Sequence, residues 1–168
     1  MSVPELESGP VATDNPIFSG FSPKALKAVE AAKALAEELG DESVATGHLI
    51  FGLTVDDEVC LHHIFKDLSV DPDMFSGYVK SLPREPEISG ELAPFNRHVV
   101  TVLERARECA DEMKSKTVES EHVAIALMSV KAGSAYETLM EFNIENDYVQ
   151  MLILETMGLE AEDAPDWF

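Results

Sequence analysis

The sequence predicts an all-α chain of two pseudo-symmetric four-helix repeats, about eight helices in all. Three observations predict it: an internal repeat, helix start and stop signals in the same order in both copies, and the lack of any convincing period-2 strand. The repeat has a constant offset of 74 positions. It carries Phe21 onto Phe95, Glu30 onto Glu104, Ala32 onto Ala106, Ala36 onto Ala110, Val44 onto Val118, His48 onto His122 and Leu53 onto Leu127. Conservative pairs such as Val29 with Leu103 and Val70 with Ile144 keep the same register. An offset held through helices and loops alike marks two copies of one structural unit. Each copy is also a control for the other, since a residue present in only one marks a specialised position.

The elements follow in order. Residues 1–20 are acidic, contain prolines and glycines and show no period, which predicts a flexible leader. Repeat 1 spans 21–84. Ser22-Pro23 opens a helix with a capping hydroxyl and proline at the first helical position. Ala25, Val29, Ala32, Ala36 and Leu39 then share a face, and Gly40 stops the helix. The small alanines predict close approach of a second helix. That helix is expected to be capped by Thr46 and to carry Leu49, Ile50 and Leu53; further helices are expected at about 57–67 and from Asp71-Pro72 to about Leu82. A proline- and glycine-containing linker fills 85–94. Repeat 2, over 95–158, is expected to have Asn96 capping 97–113, Ser120 capping 121–129, and helices at about 132–142 and 146–157. Residues 159–168 are an acidic tail ending in Trp167-Phe168.

Composition narrows the function. The chain has 168 residues, 45% of them apolar, enough for a core, and a net charge of -20. That charge argues against nucleic acid and anionic membrane surfaces, both of which demand clustered Lys and Arg. It suits a well-solvated surface or a basic partner. Two distant cysteines, Cys60 and Cys109, form no disulfide framework and point to a reducing compartment; Cys109 reads as core. No apolar run approaches the roughly 20 residues that span a bilayer, and the N-terminus does not resemble a signal peptide. The sequence therefore reads as cytoplasmic.

Phe21-Ser22-Pro23, the alanines at 25, 32 and 36, Leu39-Gly40, Val44, Thr46, His48 and Leu53 resemble the Clp N-terminal repeat. Phe95-Asn96-Arg97, Ala106, Ala110, Val118, Ser120-Glu121-His122 and Leu127 resemble its second copy. The likeness covers roughly 18–158 and implies the double Clp-N fold, close to ClpC-type N-domains. In that family the domain receives substrates and adaptors for an ATPase. No Gly-x-x-x-x-Gly-Lys-Ser/Thr loop occurs here, so the chain resembles the free-standing, ClpT-like members. The resemblance implies a non-catalytic adaptor or accessory module, without cofactor or metal, that binds Clp ATPase subunits, Clp protease core subunits or substrate peptides. A decoy competing with unfoldase N-domains for peptides, adaptors or cyclic-peptide antibiotics is the alternative.

The resemblance also nominates site residues. Some family members hold a phosphorylated arginine with the Glu of a Thr-Glu-His motif, and a carboxylate suits a guanidinium through two parallel hydrogen bonds. Repeat 2 keeps it as Glu121 while repeat 1 has Gly47; Ser22 keeps the family's starting hydroxyl while Asn96 replaces it. Neither copy is complete, so weak or no phosphoarginine binding is expected. Glu121 equally suits the role of a first-turn acid on the helix dipole. Phe18, Phe21 and Phe95 match aromatics that line a peptide-binding surface between repeats in ClpC-like relatives, or they form plain interface core. Trp167 and Phe168 offer apolar area to a partner's pocket or to this domain itself. His48 and His122 are expected to be structural, bonding the backbone. Cys60-x-His62-His63 lacks a tetrahedral zinc set. A ferritin-like di-iron site needs two Glu-x-x-His motifs; Glu119-x-x-His122 with Glu30 and Glu104 supplies one, and Ala45 replaces Glu119 in the other copy.

Overall fold

The computed structural model describes residues 16–41, 43–70, 72–81 and 95–159. Among these residues the chain forms eight α-helices after a 3-10 turn at Pro16–Phe18: α1 (Pro23–Glu38), α2 (Thr46–Val55), α3 (Cys60–Asp67), α4 (Pro72–Ser81), α5 (Arg97–Glu112), α6 (Ser120–Ser129), α7 (Ser134–Glu141) and α8 (Asn146–Thr156). No strand longer than an isolated bridge occurs among them. The all-α double repeat is what the sequence predicted.

Local chemistry explains the boundaries. The Ser22 hydroxyl accepts from Ala25 N–H at 3.2 Å, and Asn96 Oδ1 accepts from Val99 N–H at 3.0 Å. The amide thus caps α5 as the hydroxyl caps α1. Both helices end in paired backbone bonds around a left-handed residue. Gly40 N–H and Asp41 N–H donate to Glu37 O and Ala36 O; Lys114 N–H and Ser115 N–H donate to Asp111 O and Ala110 O. Gly40 has φ +76°, and Lys114, at the same place in the second copy, is held at φ +60°. The same equivalence links Ser69 (φ +65°) to Asn143 (φ +58°) after α3 and α7. Backbone geometry was copied even where the residue no longer favours it.

Packing joins the repeats into one body. α2 lies on α1 through Gly52, where a Cβ would sit 2.2 Å from Ala28 O; this is the close approach that the alanines predict. Phe21 pairs with Val118 of the other repeat, and Phe95 pairs reciprocally with Val44. Ser22 N–H donates to Val118 O at 2.9 Å, and Asn96 N–H donates to Val44 O at 3.0 Å. Each repeat therefore supplies the extended residue that the other needs beside its α1–α2 or α5–α6 connection. The buried apolar residues form one cluster running through both copies, from Phe18 and Leu53 to Leu127 and Ile153.

Three expectations need correction. Residues 16–20 belong to the folded body rather than to the leader. Phe18 is buried, with its ring 5.4 Å from Phe21 and 5.7 Å from Phe95, and Arg107 Nη2 donates to Ile17 O (2.5 Å) and Ser19 O (2.7 Å). Thr46 and Ser120 are first helical residues, not caps; Ala45 and Glu119 occupy the cap positions. The third helix starts at Cys60 rather than near 57, because Asp56 Oδ1 accepts from Glu58 N–H and turns the chain there. Residues 1–15, the 85–94 linker and Trp167-Phe168 lie outside the described residues.

Candidate functional site

Two crevices form where a helix start in one repeat meets a helix start in the other. They are related by the repeat offset, yet their chemistry differs.

In the first, α2 meets α7. Gly47 N–H donates to Ser134 Oγ at 2.7 Å, and Ala135 N–H donates to Thr46 Oγ1 at 3.1 Å. Each hydroxyl thus satisfies an N–H that the opposite helix leaves unpaired in its first turn. Gly47 and Ser134 are both buried, so the crevice is closed. This explains why Thr46 sits one residue inside the helix: its hydroxyl serves α7 instead of its own cap.

In the second crevice, α6 meets α3. Glu121 takes the place of Gly47, and Cys60 takes the place of Ser134. Glu121 is half-buried, and the Ser120 hydroxyl donates to its Oε1 at 3.4 Å. Burial pushes the Cys60 thiol up to about 12, helped by the nearby Glu121 carboxylate. Such a thiol stays protonated and unreactive at neutral pH. A thiol is also a weak donor, so this crevice lacks the reciprocal caps of the first. It keeps an acidic group within reach of solvent.

The repeated histidines hold both arrangements. Ala45 N–H donates to His48 Nδ1 at 2.8 Å, and Glu119 N–H donates to His122 Nδ1 at 2.9 Å. Each ring replaces the Glu or Gln half of a capping box. With Nδ1 accepting, the proton is on Nε2, which in His48 lies 2.8 Å from Asp41 Oδ2. Repeat 2 has Ser115 in place of Asp41, and its hydroxyl donates to Thr117 O. Burial lowers the pKa of His122, against a smaller opposing pull from Glu121 and Glu119.

The other nominated residues divide clearly. Phe18, Phe21 and Phe95 come together as one buried aromatic cluster, with the Arg107 guanidinium 5.7 Å from the Phe21 ring centre. Ser22 and Asn96 are occupied as helix caps. Sequence reasoning missed Ser134 and Arg107. A signal for Arg107 existed, since the offset aligns it with another cation, Lys33. Cys60, His62 and His63 do not converge on a metal: His62 Nδ1 bonds Thr54 O at 2.7 Å and His63 Nε2 bonds Asp57 O at 2.6 Å. The di-iron alternative fails on geometry, because Glu30 and Glu104 face outward and His122 Nδ1 accepts from its own helix start. Among the described residues, no helix is long and apolar enough to cross a membrane.

Comparisons with known proteins agree with this geometry. The family described as the Clp repeat N-terminal domain matches residues 20–142 and 94–162. Chaperone protein ClpB of Bacteroides thetaiotaomicron is 28% identical over 116 residues, 68% of this chain and 14% of its own length. The chloroplastic chaperone protein ClpD2 of Oryza sativa is 25% identical over 152 residues, 88% of this chain and 16% of its own length. The chain thus spans less than a fifth of these relatives. Among solved structures, the N-terminal domain of ClpD from Arabidopsis thaliana superposes with a TM-score of 0.68 at 22% identity, covering 84% of this chain and 96% of that one. The Hsp104 N-terminal domain from Candida albicans gives 0.66 at 16% identity, covering 88% and 100%. The N-domain of ClpV from Vibrio cholerae gives 0.65 at 17%, covering 87% and 90%.

Proposed function

Because this chain belongs to the Clp repeat N-terminal domain family, we propose that it is a non-catalytic protein-binding module of the Clp chaperone and protease system. It binds a Clp ATPase, a Clp protease subunit or their substrate by surface complementarity. The observation that carries this reading is the cross-paired double repeat itself, whose likeness spans 96% and 100% of two solved Clp-type N-terminal domains. The polar groups in its interior fit the reading too. Ser22, Thr46, His48, Asn96, His122 and Ser134 all bond backbone at helix starts. Groups held in that way support a rigid recognition surface rather than turnover.

The two crevices bear on phosphoarginine. The closed one has Gly47 where the motif needs a carboxylate, and a glutamate there would enter space sealed by Ser134. The open one has Glu121 but lacks the paired caps beside it. Titrating a phosphoarginine peptide should therefore give weak or no binding, and micromolar binding abolished by Glu121→Ala would refute this.

Affinity purification from the native cell tests the main proposal. Clp ATPase or protease subunits should be recovered by the wild-type chain at salt high enough to suppress its charge. Recovery of neither overturns the reading.

A further inference from the structure

Repeat 2 carries a groove whose lining side chains differ from those at the equivalent positions of repeat 1. It lies at the α7–α8 turn, holds about 450 Å³, and is lined by Tyr136, Met140 and Ile144, by Asn146 at its side, and by Lys131 and Asp147 at its rim. Met140 is 57% exposed. At the equivalent places repeat 1 has His62 and Lys66. A large apolar side chain left in water at a site where the sister copy carries a charge suggests a covering partner. Tyr148 and Met151 add exposed apolar area one turn apart on α8.

The charge at the rim describes the occupant. Glu145 and Asp147 line the groove and are exposed, and Lys131, which lines it too, is already paired with Asp147 at 2.9 Å. In addition, Asn146 is 95% buried; its Nδ2 donates to Met128 O at 2.9 Å, and its Oδ1 has no donor among the described residues. The bond to Met128 O ties the start of α8 to α6 and fixes that wall of the groove.

We propose that this groove docks a short segment of a partner protein bearing a large apolar side chain flanked by lysine or arginine. The apolar side chain packs on Tyr136 and Met140, and the basic flanks meet the acidic rim. Complementary potential of this kind sets register and speeds encounter. The inference rests on the reading of the chain as a protein-binding module and names the chemistry of its partner.

The test uses the full chain labelled with 13C at its methionine methyls. The probe is a synthetic helical peptide of leucine and lysine with leucine at i, i+3, i+4 and i+7, and the control peptide has serine for each leucine. The Met140 methyl should shift saturably with the first peptide and not with the second, while the buried Met128 stays put. Replacing the groove residues together (Met140→Gln with Tyr136→His) should weaken binding at least tenfold by fluorescence anisotropy. Glu112→Gln, at the end of α5, should change it less than twofold. Equal affinity for both peptides, or no loss in the double variant, would overturn the proposal by reducing the binding to net charge. A Met140 shift on deleting residues 160–168 without any peptide would overturn it too, because the chain's own end would then fill the groove. Purification with the double variant separates the two levels. Clp subunits recovered equally by variant and wild type leave the module reading intact and sink the groove; recovery by neither sinks both.

Discussion

The α2–α7 and α6–α3 crevices occupy equivalent places in the duplicated fold, and they have been put to different use. The first is closed by Thr46 and Ser134 exchanging helix caps across the repeats. The second sets Glu121 over a protonated Cys60 and leaves the carboxylate half-exposed. The backbone around both is the same, down to the left-handed residues that follow α1 and α5 and the histidines at the third positions of α2 and α6. Duplication therefore preserved what positions the helices, while the side chains at helix starts and on outer faces diverged. A core tolerates little change because every atom has neighbours, whereas a solvent-facing crevice or groove is free to be remade.

The largest test of this contrast is at the α1–α2 contact. Gly52→Ala places a methyl against Ala28 O, which is backbone and has no room to yield, and should cost about 2 kcal/mol in urea unfolding. Ala126 stands at the same place in repeat 2, where a methyl is already accommodated. Ala126→Gly should cost only about 1 kcal/mol. Equal losses at the two sites would mean that the helix pairs are spaced alike, against the observed clash.

The caps come next. Thr46→Ala and Ser134→Ala should each cost about 1 kcal/mol. Measured as a double-mutant cycle they should show coupling, because both bonds close one crevice. Strict additivity would mean that the hydroxyls act separately. A smaller effect of opposite sign is expected at Lys114, a non-glycine residue at φ +60°. Lys114→Gly should stabilise by about 0.5 kcal/mol, since glycine adopts that conformation without steric cost.

The smallest effect is a slope against pH. Burial chiefly lowers the folded pKa of His122 below the ordinary imidazole value of about 6.5. Below that value the unfolded chain binds the proton more readily than the folded one, so stability falls as pH drops through and below about 6.5. Protonating Nδ1 also breaks its bond from Glu119 N–H. Ser115→Asp would copy Asp41 into repeat 2 and should flatten this slope in unfolding experiments between neutral and mildly acidic pH. An unchanged slope would detach the pH response from His122.

Much of this was legible in the chain. Ser22 and Asn96 cap where expected, the alanines at 25, 32 and 36 line a close helix contact, and the repeated histidines bond backbone. Each depends on neighbours within a few residues or on a periodic face, which is information that a linear pattern contains. The misplaced caps show the boundary. Thr46 carries the hydroxyl that a local rule assigns to its own helix, but that oxygen accepts from Ala135, 89 positions away. Residues 16–20 looked like leader by composition, although the family resemblance already set Phe18 beside Phe95; nothing near them in sequence reveals the bonds from Arg107.

The sequence by itself determined the duplication, the helices, most of their ends and the family, because these follow from periodicity and from residues that act over one turn. Only the tertiary structure decided that the repeats exchange their extended residues and caps, that one crevice closes while its twin keeps an acid, and that Tyr136, Met140 and Ile144 meet in a groove at the α7–α8 turn. Those outcomes depend on which side chains meet across long separations, where burial and the satisfaction of each polar group are settled together.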